Sequence, residues 1–267
     1  MVQNDNWGTQ ARIGMFIVGN ECVPEAEWWA MAPPNVSVHA ARVTARAPWA
    51  RWRADRSGVD LEDDLIRGAR QFAAMRLSAV VVGHSSSSFL GGQGWDEAVI
   101  AELSKILTAG SLAPDVIVTT NGLDCLAALR ASGIARPFLV LPPWFGDDTV
   151  AAGLRYLVDL GISLAGHLRY GPGPEWRNVP PGDLYRLGMG FAQEIEPLRA
   201  QIVSACPNSA DGILIAGTGF RCVGIIEALE QELQRPVVSA NQASLWQCLR
   251  LAGVTTKVEG YGRLLRL

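Results

Sequence analysis

Two short turns carry the residue types in this chain best suited to chemistry: Gly83-His84-Ser85-Ser86 and Gly217-Thr218-Gly219. Each follows an apolar run and contains small residues. A strand that ends in glycine and passes through small hydroxyl residues into a helix gathers backbone N–H and side-chain O–H groups around one point, where an anion is held with help from the helix dipole. Two such turns facing each other suit a small acid with two carboxylates, or a carboxylate that becomes an enediolate. His84 adds an imidazole, the side chain best matched to proton transfer near neutral pH. The competing reading of His84 is a ring that donates to a nearby carbonyl and shapes the loop. His39 and His167 lie in or at the ends of predicted strands and read as core or surface residues.

Neither turn is a Walker A loop, because no Gly-Lys-Ser/Thr follows, and Gly14 and Gly19 do not make a GxGxxG after the first strand. Gly83-His84-Ser85-Ser86-Ser87 falls one residue short of GxSxG, and no Asp and His follow in a convincing order. A serine-dependent hydrolase using one of Ser85 to Ser88 stays as an alternative.

The elements that must position these turns repeat along the chain. Apolar runs closed by Gly, Ser, Asn or Pro and followed by helical spacing give the rhythm of a parallel α/β sheet. Strands are predicted at Ile13 to Val18, Val36 to Val43, Ala79 to Gly83 and Val116 to Thr119. A second series follows in the same order: Phe138 to Leu141, Ile162 to His167, Gly212 to Ala216 and Val237 to Ser239. Helix exits match as well, Arg130-Ala131-Ser132-Gly133-Ile134 against Arg250-Leu251-Ala252-Gly253-Val254. This is an internal duplication. It predicts two pseudo-symmetric, Rossmann-like halves with parallel four-stranded sheets, residues 1–135 and 136–267, the C-terminal segment being free to pack back on the first half. The two turns stand almost half the chain apart, so they occupy equivalent third-strand positions, and the site is expected in the cleft between the halves, beyond the carboxyl ends of the strands. Acidic residues at the predicted helix starts, Glu25, Glu27, Asp147 and Asp148, read as dipole caps. The Gly/Pro-rich stretch from Gly171 to Gly182 reads as a surface connection, with a lid as the alternative.

Composition narrows the partners. With 49% hydrophobic and 18% charged residues in 267, the chain has enough apolar material for a packed core, and a net charge of -3 without a basic cluster gives nucleic acid no footprint. No apolar run is long enough for a membrane span, and the polar Met1 to Gln10 lacks a basic leader segment, so a cytoplasmic protein is expected. Five cysteines at irregular spacing, without a CxxC pair, indicate neither a disulfide frame nor a zinc cage. Nine tryptophans permit an aromatic-lined pocket, core packing being the plainer use. A homo-oligomer is compatible with all of this.

Beyond these local signals, the chain resembles a known family. Val81-Val82-Gly83-His84-Ser85-Ser86-Ser87-Ser88-Phe89, the run Gly122 to Ile134, Asp211-Gly212-Ile213-Leu214, Pro236-Val237-Val238-Ser239-Ala240-Asn241-Gln242-Ala243 with Trp246, and Gly260-Tyr261-Gly262-Arg263-Leu264 are similar to the arylmalonate decarboxylase and maleate isomerase family of the aspartate/glutamate racemase superfamily. The resemblance spans almost the whole chain in order. It implies a catalytic cysteine at the end of one or both third strands, the decarboxylases keeping only the second as proton donor, and the matching positions here look like Gly83 and Gly217. It also implies carboxylate donors at His84, Ser85 and the backbone around Gly217-Thr218, and a phenol after the fifth strand where this chain has Trp144 or Phe145. Cys222, five residues beyond Gly217, is a poor stand-in for a thiol. The expected substrate-binding set is Asn20, Gly83, Ser85, Ser86, Trp144, Phe145, Gly217, Thr218 and Gly219, with His84 as the proton donor and no metal or organic cofactor. The resulting expectation is a cofactor-independent lyase or isomerase of a small, optionally aromatic, carboxylic acid, decarboxylase-like but without the thiols. A non-catalytic carboxylate-binding protein is the other alternative.

Overall fold

Short aliphatic, β-branched runs bounded by glycine and polar residues form strands because both faces of each can be buried under helices. The computed structural model describes residues 6–109, 112 and 115–267. In the first half these are β1 (Ala11–Val18), α1 (Val23–Met31), β2 (Val36–Val43), β3 (Ala50–Trp52), β4 (Val59–Leu61), α2 (Asp63–Ala73), β5 (Ala79–Val82), α3 (Ser85–Gly91), α4 (Trp95–Thr108), β6 (Ile117–Thr120) and α5 (Asn121–Ala131). The second holds β7 (Pro137–Leu141), α6 (Asp147–Asp159), β8 (Gly166–Arg169), α7 (Pro181–Leu184), α8 (Met189–Ala192), α9 (Ile195–Ala205), β9 (Gly212–Ile215), α10 (Ile226–Leu233), β10 (Val237–Ser239) and α11 (Ala240–Leu251).

Two four-stranded sheets result, in the orders β2-β1-β5-β6 and β8-β7-β9-β10, and every pairing in them is parallel. Taken in chain order within each half, both follow 2-1-3-4, so the duplicated pattern in the sequence is a duplicated topology. The matched helix exits fold alike: Gly133 and Gly253 have φ of +70° and +72°, and Ile134 and Val254 donate back to Leu129 and Leu249 at 2.9 and 2.8 Å. These are glycine-terminated helix ends in which the next apolar residue closes the last turn.

Alternate residues of the central strands serve two cores. Ile13, Met15 and Val81 face a core continuous with Leu139, Ile213 and Val238 of the second sheet, whereas Phe16, Val80 and Val82 face a separate cluster with Leu65, Trp95 and Leu103. Helices α5 and α11, which follow the fourth strands, pack on each other and join the halves. Asn121 Nδ2 crosses the join to Ala240 O and Ser244 Oγ, both at 2.9 Å, and Asn241 Nδ2 crosses it the other way to Glu27.

One strand differs from expectation. That predicted at Ile162 to His167 begins only at Gly166, because Gly161 (φ +83°) ends α6 and Ile162 folds back to donate to Leu157 O at 2.9 Å. Glu25, Asp147 and Asp148 lie in the first turns of α1 and α6, where they answer the helix dipole without a side-chain cap bond, Glu25 also pairing with Arg42 and Asp147 with Arg169 at 2.7 Å, whereas Glu27 is buried between the halves. The C-terminal segment bonds to the second half, with Gly262 N and Arg263 N donating to Glu227 and Glu230 of α10 and Tyr261 O accepting from Gln242 of α11, and Tyr261 also shares a cavity with Val23 and Ala26 of α1. Among the described residues no helix is long and apolar enough to cross a membrane.

Candidate active site

β5 and β9 occupy equivalent places in the two sheets, so the turns that leave them meet. They are joined reciprocally: Gly217 N donates to Ser85 Oγ at 3.1 Å, and Thr218 Oγ1 donates to Gly83 O at 3.0 Å. Beside this junction lies a cavity of about 440 Å³ lined by Asn20, His84, Ser85, Ser86, Trp144, Phe145, Gly217, Thr218 and Gly219. Gly83 is not among the lining residues; it supports the turn through its carbonyl. His39 is tied to Ser37 at 2.9 Å, and neither it nor His167 lines the cavity.

The serines divide sharply. Ser85 Oγ donates to Asn121 Oδ1 at 2.6 Å, Ser88 Oγ donates to Asp96 Oδ1 at 2.7 Å, and Ser87 Oγ accepts from Trp49 N at 3.0 Å. Ser87 Oγ also lies 2.9 Å from His84 Nδ1; with no other acceptor for its hydroxyl hydrogen among the described residues, the arrangement favours the tautomer with the imidazole hydrogen on Nε2. The imidazole stacks on Trp49 with centroids 4.1 Å apart. Burial pushes its pKa down to about 3. His84 is therefore neutral near pH 7, and its Nε2–H, which makes no hydrogen bond among the described residues, is suited to hydrogen-bond a ligand rather than to release a proton. Ser87 resembles a nucleophile beside its base but is fully buried.

Backbone donors complete the polar wall. Gly217 has φ +96°, and the N–H groups of Thr218 and Gly219 that follow it make no hydrogen bond among the described residues. Adjacent free N–H groups in such a turn form a concavity for an anion. Apolar Leu90, Phe145 and Trp144 line the same cavity, the last packed edge-on against Tyr185 at 4.9 Å and Phe220 at 5.7 Å. Of the other tryptophans, Trp28, Trp49 and Trp95 are core residues.

Sequence reasoning missed several lining residues, and two places among them carry ionisable groups. Tyr185 and its neighbour Arg186 reach the cavity from the end of α7, beyond the Gly171 to Gly182 stretch, no residue of which lines it, and a phenol arrives there by another route than the fifth strand. Glu21 is the second. Its carboxyl is 6% exposed, lines the cavity against Gly219 and makes no hydrogen bond among the described residues, Oε2 being fully buried. Burial pushes its pKa up to about 8. The folded state thus holds a proton that the unfolded chain releases near pH 4.3. Stability is full below that value and falls as pH rises toward 8, at up to about 1.4 kcal/mol per unit. Urea unfolding between pH 5 and 8 should show this slope in the wild type and a flatter one in Glu21→Gln; equal slopes would refute it.

No thiol lines the cavity. Cys222 is buried at the start of a short helical turn, the segment from Gly217 to Cys222 is not helical, and burial pushes the thiol up, away from thiolate. Cys22 is exposed but does not line the cavity. Among the described residues there is no group of three His, Cys, Asp or Glu able to hold a metal ion.

Fold and cleft together define a duplicated, two-sheet α/β protein built like the maleate isomerases and arylmalonate decarboxylases. The maleate isomerase Iso from Pseudomonas putida S16 superposes with a TM-score of 0.78 at 19% identity, covering 96% of this chain and 98% of that one. Unliganded arylmalonate decarboxylase gives 0.68 at 24% identity, covering 96% and 98%. In sequence, the arylmalonate decarboxylase family model matches residues 182–265. The curated arylmalonate decarboxylase of Bordetella bronchiseptica is 28% identical over 210 residues, 76% of this chain and 77% of that protein. The sequence matches are thus to arylmalonate decarboxylase, and the two superpositions, at 19% and 24% identity, show the shared fold.

Proposed function

We propose that the cavity is the active site of a cofactor-independent lyase or isomerase that acts on a small carboxylic acid by way of an enediolate, as a decarboxylase does. The observation that carries this reading is the set of unpaired donors, Thr218 N, Gly219 N and His84 Nε2, on a cavity that apolar Trp144, Phe145 and Leu90 also line. Fixed dipoles of this kind stabilise negative charge as it develops, at no cost of reorganisation. One substrate carboxylate would take these donors, with Asn20 and Ser86 at the margin of the same cavity. A second carboxylate, lying against Trp144, Phe145 and Leu90, would be poorly solvated and would leave as carbon dioxide.

The hydroxyls of Ser85, Ser87 and Ser88 already donate within the protein, which disfavours the hydrolase alternative. The test is turnover of a panel of substituted malonates and maleate, followed by carbon dioxide release and by NMR, together with calorimetric binding of the same acids. His84→Ala is expected to lower kcat about 10²-fold, the loss typical of one oxyanion donor. An unchanged kcat would remove His84 from the site. Tight binding without consumption of any member of the panel would leave a carboxylate-binding protein instead.

A further inference from the structure

We propose that Glu21 is the proton carrier of this site, entering the reaction as a neutral carboxylic acid and delivering its proton to the substrate carbon. The inference rests on the enediolate reading above and extends it, because that reading leaves the carbanion without an acid.

Four observations converge on this side chain. Glu21 follows β1, whose carboxyl end opens on the same cleft as the ends of β5 and β9, and it lines the cavity that Thr218 and Gly219 line. A Cβ added at Gly219 would overlap Glu21 Oε1, so in this conformation the carboxyl lies directly against the proposed anion-binding turn. Oε2 is buried without a partner, a state that costs free energy unless the group is neutral or meets a ligand. Finally, no cysteine lines the cavity and His84 is held neutral, so no other lining side chain combines burial with a labile proton near pH 7.

The groups around Glu21 leave it uncharged. Arg42 of β2 spends its guanidinium on the backbone oxygen of Glu21, at 2.9 Å, and on the Glu25 carboxylate. Cys22, next in the chain, is exposed. Tyr185 approaches from the end of α7, and burial and Glu21 itself push its phenol up, so it remains protonated. Arg186 is exposed at the rim and paired with Asp183 at 3.1 Å, and the neutral His84 lies on the same cavity.

The step balances as follows. Heterolysis of the bond between the α-carbon and the leaving carboxylate releases carbon dioxide and leaves the electron pair on the carbon, delocalised into the retained carboxylate. That pair takes the proton of Glu21, a C–H bond forms, and Glu21 is left as a carboxylate. Solvent returns the proton, so the net reaction consumes one proton per carbon dioxide.

The experiment compares wild type, Glu21→Gln and Glu21→Asp. With a malonate that the wild type consumes, Glu21→Gln should lose about 10²-fold or more in kcat, Glu21→Asp should recover part of it, and the Kd for a non-reacting monocarboxylate such as phenylacetate should move less than threefold. The wild-type kcat should fall as pH rises through about 8, because the acid form is required. Glu21→Gln retaining kcat within threefold overturns the proposal. Infrared titration, wild type minus Glu21→Gln, needs no turnover: an acid C=O band lost with a midpoint near pH 8 supports the proposal, and a midpoint near the ordinary 4.3 overturns it. If the wild type consumes nothing in the panel, the enediolate reading fails, and the infrared midpoint still decides whether Glu21 holds its proton.

Discussion

Alanine at position 217 is expected to destabilise the protein by about 2–4 kcal/mol in urea unfolding and to abolish carboxylate binding. Gly217 has φ +96°, a conformation in which a side chain costs about 1–2 kcal/mol. An added Cβ would also lie 2.8 Å from Cγ of Pro142, in the segment after β7 that cannot move without disturbing Trp144 and Phe145. Gly133→Ala is the matched control: its φ is +70°, and nothing lies within 4 Å of an added Cβ. Its loss should be limited to the conformational part, about 1–2 kcal/mol. Equal losses in the two variants would show that the Pro142 contact has no energetic weight. The same geometry applies to a thiol introduced at 217, and at 83 a Cβ would lie 2.9 Å from the backbone oxygen of Phe16. Placing a cysteine at either position of this backbone therefore requires the turn itself to shift.

Glu27→Ala should cost about 3–5 kcal/mol, the scale for breaking a buried charged or strongly hydrogen-bonded group by removing one partner. The carboxylate of Glu27, on α1, accepts from Cys222 N at 2.6 Å, Val223 N at 3.0 Å and Asn241 Nδ2 at 2.6 Å. Truncation leaves all three donors without that acceptor, at the junction of the halves. Glu27→Gln keeps one carbonyl oxygen, enough for the two backbone donors but not for the Asn241 amide as well, and should cost less, about 1–2 kcal/mol. An alanine variant within 1 kcal/mol of wild type would mean that water replaces the carboxylate.

Much of the fold is legible because duplication tests each element twice. A single run such as Val237 to Ser239 is too short to classify, but its match to the strand at Ile117–Thr120, followed in each case by Asn at the start of a helix, identifies both. Where symmetry is broken, the sequence is mute. The hairpin Ala50–Trp52 with Val59–Leu61 has no counterpart and consists of strands three residues long. Tyr185 sits in an excursion between β8 and α9 that the first half lacks. Glu21 was hidden by the commonest use of an acidic residue beside a helix start. The available signal was its place at the carboxyl end of the first strand, where its counterpart region in the second half carries Trp144. Glu27 shows the limit of local inference most clearly, since its partners lie about 195 to 214 residues away in the chain.

The reciprocal bonds between Ser85, Gly217, Thr218 and Gly83 tie the two copies in descent as well as in space. After a duplication each copy is ordinarily free to drift on its own. Here each turn supplies one side-chain hydroxyl to the other's backbone, so a change at Ser85 is registered in the second half and a change at Thr218 in the first. Glu21 and the Tyr185 excursion line the cavity outside these reciprocal bonds, so a change there alters what the cavity recognises without breaking them.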